Sequence, residues 1–300
     1  MTRFSLTRFA PSPTGFLHEG HLASALAVWG VARATAAKII IRLEDHDQSR
    51  CRPEFTKSIL EDLTWLGFMS GEAGQMVRSV ESQSSRPNRY TDAVSLLQSR
   101  GHHLYVCTCS RKMIQGSSNA PSEDAELLYR GTCRNSATPL SANVGWRVQL
   151  SDDHVEFKDG WSGTTLRHHP QQQCGDLLIR DRHNNWTYNF AVTVDDMIDR
   201  VDLVVRGLDI QDATGRQIML GEMLGRSKPA TFVHHPLIID ESGKKLSKRD
   251  GSTALATTRK SGVSAETLIG RCGRLLHPDH PESCSLHESL IFLGRQLVVR

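Results

Sequence analysis

Three consecutive isoleucines, Ile39 to Ile41, constrain the fold of this chain more tightly than any other stretch. Successive side chains of a strand point to opposite faces, so an unbroken apolar run needs cover on both sides. Strands of that kind belong to parallel sheets sandwiched between helices. The neighbouring sequence agrees. Arg3 to Ala10 is short, partly alternating and without helical period, which predicts a strand, and Pro11 to Gly15 ends it with two prolines and a glycine. Alanine, leucine and valine dominate Glu19 to Ala36, which predicts a helix. Lys38 to Leu43 is the isoleucine strand, and Pro53 to Leu66 reads as a second helix with proline in its first turn. Strand, helix, strand, helix predicts an α/β chain with a doubly wound parallel sheet.

That grammar lapses in the middle of the chain. Asn88 to Arg100 predicts a helix and Leu104 to Val106 a strand, and a polar loop follows over Ser110 to Asp124. Further short strands are expected within Gly145 to Phe157 and over Asp176 to Ile179. The strand at Val201 to Arg206, the helix at Asp212 to Leu224 and the strand at Thr231 to Ile239 restore the pattern. A basic loop, Gly243 to Arg249, comes next, and a helix is expected around Ser264 to Leu276. The chain therefore divides into 1–100, the first half of the sheet domain; 101–185, an insertion; 186–240, the second half; and 241–300, the basic loop and a short helical C-terminal part.

Composition narrows the class of function. With 38% hydrophobic and 23% charged residues the chain has the make-up of an ordered globular protein. A formal charge of +3 and pI near 8.5 tolerate a nucleic-acid partner without requiring one. No apolar run approaches the ~20 residues of a membrane helix, and the first residues carry too short an apolar stretch for a signal peptide. A cytoplasmic location, no membrane partner and a monomer are expected. Seven cysteines in a reducing compartment are expected to be free, buried or metal-bound rather than disulfide-paired.

Two stretches carry chemistry. The first is His18-x-Gly20-His21, between a predicted strand and a predicted helix. Gly15 and Gly20 let backbone approach a bulky ligand. A helix start offers unpaired N–H groups and a positive dipole end to phosphates. Two imidazoles three residues apart share one side of that turn and can donate to a nucleotide as charge builds on its phosphates. The second stretch is Lys245-Leu246-Ser247-Lys248-Arg249. Three cations on a loop begun by Gly243 suit a triphosphate, where preorganised positive charge stabilises adenylyl transfer.

Together these stretches resemble the paired HIGH and KMSKS motifs of class I aminoacyl-tRNA synthetases. RFAPSPTGFLHEGH (Arg8 to His21), RLEDHDQSR (Arg42 to Arg50), TYNFAVTVDD (Thr187 to Asp196) and RGLDIQDATGRQ (Arg206 to Gln217) resemble the glutamyl and glutaminyl branch, in the expected order. Glu19, Leu246 and Arg249 depart from the usual motifs, and DATGRQ lacks a common asparagine. The resemblance implies a Rossmann-type catalytic core, with His18, His21, Lys245 and Lys248 catalytic and His18, Gly20, His21 and Lys248 against ATP. It implies that Arg8, Ala10, Ser12, Tyr188 and Arg206 hold L-glutamate and that Glu44 faces its ammonium. No general base is needed, because the substrate carboxylate is already ionised at neutral pH. Mg²⁺ is expected with ATP, bound largely by phosphates.

Cys107, Cys109 and Cys133 can supply three corners of a zinc tetrahedron. Resemblance to the glutamyl-queuosine group within the branch, whose insertion carries C-x-C then Y-x-x-x-C, implies Tyr129 as the fourth ligand. His102 and His103 are chemically easier alternatives. Cys51, Cys174, Cys272 and Cys284 show no ligand spacing and read as packing residues. The short segment after Arg249 also matches that group, since it cannot hold an anticodon-reading domain. The resemblance thus implies tRNA-independent activation of glutamate and its transfer to queuosine at the wobble position of tRNA(Asp). A truncated glutamyl-tRNA synthetase that charges tRNA(Glu) is the alternative.

Overall fold

The structure, a computed structural model, describes residues 3–116, 127–239, 253–297 and 299. The sheet begins as the sequence predicts. β1 (Leu6–Phe9) leads into helix α1 (Glu19–Thr35), β2 (Lys38–Leu43) pairs parallel to β1, and α2 (Pro53–Trp65) follows. Then come α3 (Gly71–Met76), β3 (Val77–Ser82), parallel to β2, and α4 (Asn88–Ser99). The middle stretch is antiparallel: β4 (Leu104–Cys107), α5 (Arg111–Gly116), β5 (Gly145–Val148), a hairpin of β6 (Val155–Lys158) and β7 (Thr165–His168), α6 (Pro170–Cys174) and β8 (Leu177–Arg180). Helix α7 (Tyr188–Ile198), β9 (Leu203–Gly207), α8 (Thr214–Met223) and β10 (Thr231–His235) return to parallel pairing. Helices α9 (Leu255–Lys260), α10 (Ala265–Arg274) and α11 (Leu286–Gln296) complete the described chain.

β9 lies beside β1. The Asp202 N–H donates to the Leu6 carbonyl, 3.1 Å, and the Asp202 carboxylate accepts from the Ser5 and Leu6 N–H groups. The strands thus run β3, β2, β1, β9, β10, with the two halves of the chain meeting between β1 and β9. The isoleucines divide as their alternation requires. Ile39 and Ile41 enter one core with α1, α2, α10 and α11; Ile40 enters the other with α4, α7 and α8. Helices therefore cover both faces.

Helix α1 is buried around most of its circumference, from Leu22 and Leu26 to Val28, Trp29 and Ala32. Its contact with α11 is close: a Cβ added at Gly30 would lie 3.0 Å from the Leu293 Cβ. Gly30 thus lets the last helix seat on the first. No helix among the described residues is long and apolar enough to cross a membrane.

Candidate active site

The parallel strands deliver the predicted glutamate residues to one end of the sheet. Arg8 lies near the end of β1, Glu44 directly follows β2, Tyr188 opens α7, and Arg206 lies near the end of β9. These are the carboxyl ends, and β1 and β9 flank the switch point, where open α/β sheets form ligand crevices. Ala10 and Ser12 lie in the loop that follows β1. Burial raises the Tyr188 phenol above its ordinary range, and Arg206, Glu44, Arg8 and Asp196 are all close enough to act on it. Arg8, Glu44, Tyr188 and Arg206 are thus brought together from distant parts of the chain.

The charges in this pocket are unequally compensated. Asp196 accepts from Arg8 Nε at 3.3 Å and from Arg42 Nη1 at 2.7 Å. Burial alone would raise the Asp196 carboxyl; Arg42 and Arg8 outweigh it and hold the carboxyl below its ordinary range. Arg42 also lies 3.5 Å from Glu44 Oε1. Burial raises Glu44 despite Arg42 and Arg8, and its Oε1 has no hydrogen-bond partner. Arg206, 4% exposed, is different. Among the described residues its guanidinium bonds neutral groups: Gln217 Oε1 at 2.6 Å, Thr214 Oγ1 at 2.7 Å, His234 Nε2 at 3.2 Å and the Tyr188 side chain. Burial lowers its pKa. Among the described residues the pocket therefore holds a buried cation with no carboxylate directly on it and a carboxylate oxygen short of a donor. A ligand with its own carboxylate and ammonium would complete both.

The first nucleotide motif caps α1. His18 is the N-cap and His21 the third helical residue. The Gly20 N–H donates to His18 Nδ1 at 3.1 Å, and the His18 N–H donates to His21 Nδ1 at 3.2 Å. A backbone N–H only donates, so both Nδ1 atoms are acceptors. A neutral ring then carries its proton on Nε2. The rings are 3.9 Å apart. The cap thus yields two Nε2–H donors at a helix N-terminus, whose dipole favours anions.

Lys245 and Lys248 lie outside the described residues, as do Gly243 and Arg249. The flanks of that segment return to α1. His235 Nε2 lies 3.0 Å from Ser24 Oγ, Ala254 bridges His18, and the Leu255 N–H donates to the Leu17 carbonyl at 2.8 Å. One anchor is at Ser24 in α1 and the other at Leu17 and His18, just before its first turn.

The sequence reading did not single out Arg42, Asp196, Thr214, Gln217 or His234. The first four stand inside the stretches that carry the family resemblance, and a charged pair at the inner end of an otherwise apolar helix, Asp195-Asp196, was the available signal. His234 lies within β10, and no motif there marked it.

The cysteines converge as their spacing predicts. The sulfurs of Cys107, Cys109 and Cys133 lie within 4.8 Å of one another, with Cys109 and Cys133 3.6 Å apart. The Tyr129 hydroxyl accepts from the Cys133 N–H at 2.8 Å and also contacts Cys107. Gly175, at φ 70°, permits this: a Cβ there would collide with the Tyr129 carbonyl. Burial and the neighbouring thiols push Cys109 up to about 11. Burial also works against ionisation of Cys133, but hydrogen bonds from the Thr108 backbone and Tyr129 lower it to about 7. Burial raises the Tyr129 phenol. His102 bonds the Met223 carbonyl at 3.0 Å, and His103 faces Gln149 at 3.2 Å, so neither joins the cluster. Cys174, Cys272 and Cys284 are buried packing residues, and Cys51 is half-buried.

Comparison with known proteins agrees with this geometry. The chain is 37% identical over 280 residues to the glutamyl-Q tRNA(Asp) synthetase of Symbiobacterium thermophilum, covering 89% of this chain and 85% of that one. It is 39% identical over 262 residues to the enzyme of that name from Geobacter sulfurreducens, covering 85% and 80%. A crystal structure of a glutamate tRNA ligase from Elizabethkingia meningosepticum in complex with its amino acid shares the fold, with TM-score 0.72 and 23% identity over 95% of this chain. The match spans 64% of that longer chain. The family model for tRNA synthetases class I (E and Q), catalytic domain, matches residues 6–290. With the family model matching residues 6–290 and relatives of 37% and 39% identity over most of the chain, the chain belongs to the class I tRNA synthetases of the E and Q branch, ligases that use ATP.

Proposed function

We propose that this protein joins glutamate to ATP as glutamyl-adenylate, without tRNA, and transfers the glutamyl group to the queuosine base at the wobble position of tRNA(Asp). The observation that carries the reading is the buried Arg206, with no carboxylate on it among the described residues, in a pocket shared with Arg8, Glu44 and Tyr188. Arg206 suits a carboxylate of glutamate and Glu44 suits its ammonium. Arg8, Ala10 and Ser12 would contact the amino acid from the β1 side. The relatives named glutamyl-Q tRNA(Asp) synthetase at 35–39% identity supply the choice of acceptor.

The chemistry needs position and charge more than proton transfer. The glutamate α-carboxylate attacks the α-phosphorus and pyrophosphate leaves. His18 and His21 donate through Nε2–H to phosphate oxygens, Gly20 admits the nucleotide, and Lys245 and Lys248 stabilise the departing pyrophosphate. Magnesium would accompany ATP on its phosphates. Residues 101–185 act as an inserted subdomain that faces the RNA, between halves at 1–100 and 186–240, with 241–300 carrying the lysine loop and closing helices. In that insertion Cys107, Cys109, Cys133 and Tyr129 would hold zinc. Three thiols within 4.8 Å and a phenol on the same cluster fit its tetrahedral preference. A cytoplasmic monomer suits this reading.

Labelled glutamate offered with ATP to queuosine-containing tRNA(Asp) and to tRNA(Glu) tests it. Label on tRNA(Asp) alone is expected. Label on tRNA(Glu) alone would make the protein a truncated glutamyl-tRNA synthetase.

A further inference from the structure

Arg206 is held from behind by a second pair of residues. His234 Nδ1 lies 2.5 Å from Asp159 Oδ2, and the His234 N–H donates to the same oxygen at 3.2 Å. Asp159 Oδ1 accepts from the Trp161 and Ser162 N–H groups at 3.0 and 2.9 Å. Asp159 and His234 are 1% and 2% exposed. An ionised carboxylate only accepts, so the imidazole proton is on Nδ1. His234 Nε2 is then a bare lone pair, 3.2 Å from Arg206 Nε and 3.0 Å from Thr214 Oγ1. Were the proton on Nε2, an N–H would face the Arg206 N–H.

This arrangement meets a problem that any carboxylate-binding arginine has. A buried guanidinium needs a counter-charge, yet a carboxylate set directly on it would compete with the substrate's. Here the anion stands one imidazole away. Burial would raise Asp159, but its bond to His234 and the loop N–H groups hold it below the ordinary carboxyl range, and burial keeps His234 low. Asp159 follows β6, in the antiparallel stretch, and its neighbour Gly160 donates to the Phe232 carbonyl of β10 at 2.7 Å.

We propose that His234 and Asp159 are positioning residues for substrate recognition: Asp159 fixes the imidazole proton on Nδ1, and the bare Nε2 aims Arg206 at the substrate carboxylate without covering it. The proposal rests on the reading that Arg206 binds glutamate. It also means that a residue of the inserted stretch helps to set glutamate affinity.

Glutamate-dependent pyrophosphate exchange on the full-length protein tests it, with KM for glutamate and for ATP measured separately and folding checked by circular dichroism. His234→Asn keeps a donor for Asp159 but leaves nothing at the Nε2 position. It should raise the glutamate KM about 10- to 100-fold, the worth of one hydrogen bond to a charged group, with ATP KM within about twofold. His234→Gln puts a carbonyl oxygen near the Nε2 position and should restore most of that loss. Asp159→Asn, which lets the ring proton move to Nε2, should raise the glutamate KM as well, and it decides the matter if His234→Asn does not fold. Equal glutamate KM values for the Asn and Gln variants at His234, or matching rises in ATP KM, would overturn the positioning role. Arg206→Gln separates the two layers. An unchanged glutamate KM there sinks the reading of Arg206 itself, whereas a raised one beside normal His234→Asn and Asp159→Asn variants sinks only the proposal.

Discussion

The glutamate pocket and the cysteine cluster are both buried gatherings of polar side chains, and they are balanced in opposite ways. In the pocket, Asp196 has two arginines, Arg42 lies between Asp196 and Glu44, and Arg206 leans on neutral acceptors backed by a carboxylate. The chain supplies the counter-charges of Asp196 and Arg42 and a neutral cradle for Arg206, so protein groups position most of the pocket. In the cluster, three sulfurs and a phenol face one another, and burial and neighbouring thiols push Cys109 up to about 11. Nothing cationic among the groups that shift Cys109 offsets them. The difference teaches that the pocket is largely prepared by the protein's own charges, while the cluster gathers thiols with no cation among the groups that act on Cys109.

The sharpest way to break this contrast is Arg42→Met. It leaves Asp196 and Glu44 buried without their shared cation, and should cost about 3–5 kcal/mol in denaturant unfolding. A loss under about 1 kcal/mol would mean that the pocket is not held by charge. Lys248→Ala should slow adenylate formation about 10²- to 10³-fold, with the unfolding midpoint unchanged, because a prepared pocket still lacks the charge that stabilises leaving pyrophosphate. A near-normal single-turnover rate would refute that role. Cys109→Ala sharpens the other side. Metal analysis should find about one zinc per wild-type chain and none in the variant, with glutamate-dependent exchange within about threefold. An active wild-type preparation free of metal would remove the cluster's need for a cation.

The smallest expected effect comes from Asp62, a carboxylate as buried as Asp196, whose cationic partner among the described residues is Arg259, 3.9 Å away. Burial lifts it from 3.8 to about 6. A folded-state value above the unfolded one means that ionisation destabilises: the penalty is absent below about pH 4 and complete above about pH 6. Asp62→Asn should therefore gain about 1–2 kcal/mol at pH 7.5 and little at pH 4, read from urea midpoints at the two values. Equal gains at both would show that ionisation is not the cause.

Legibility in the sequence followed how local each signal was. The isoleucine run placed β2 and its two covered faces, and the cluster was legible because its ligands lie within one short stretch. β3 escaped notice because it lies at the sheet's edge, where Arg78, Ser79 and Glu81 leave no continuous apolar run. Helix α11 also escaped, although Ser285 and Glu288 form a capping box that announces it. The pocket residues were found only through resemblance, since Arg8, Glu44, Tyr188 and Arg206 meet by topology and not by spacing. Asp159 and His234 show the limit most clearly: 75 positions apart, they are joined only once the hairpin docks on β10.

The seating of α11 on α1 has a consequence for biosynthesis. A helix apolar on nearly every side cannot be sheltered by the strands beside it alone, and its remaining cover is translated long after it. While the ribosome is still making the second half, the stretch headed by His18 has no finished home. Folding should therefore complete in one late step after residue 296 emerges, and amide protons in the first and last helices should exchange with a common opening energy.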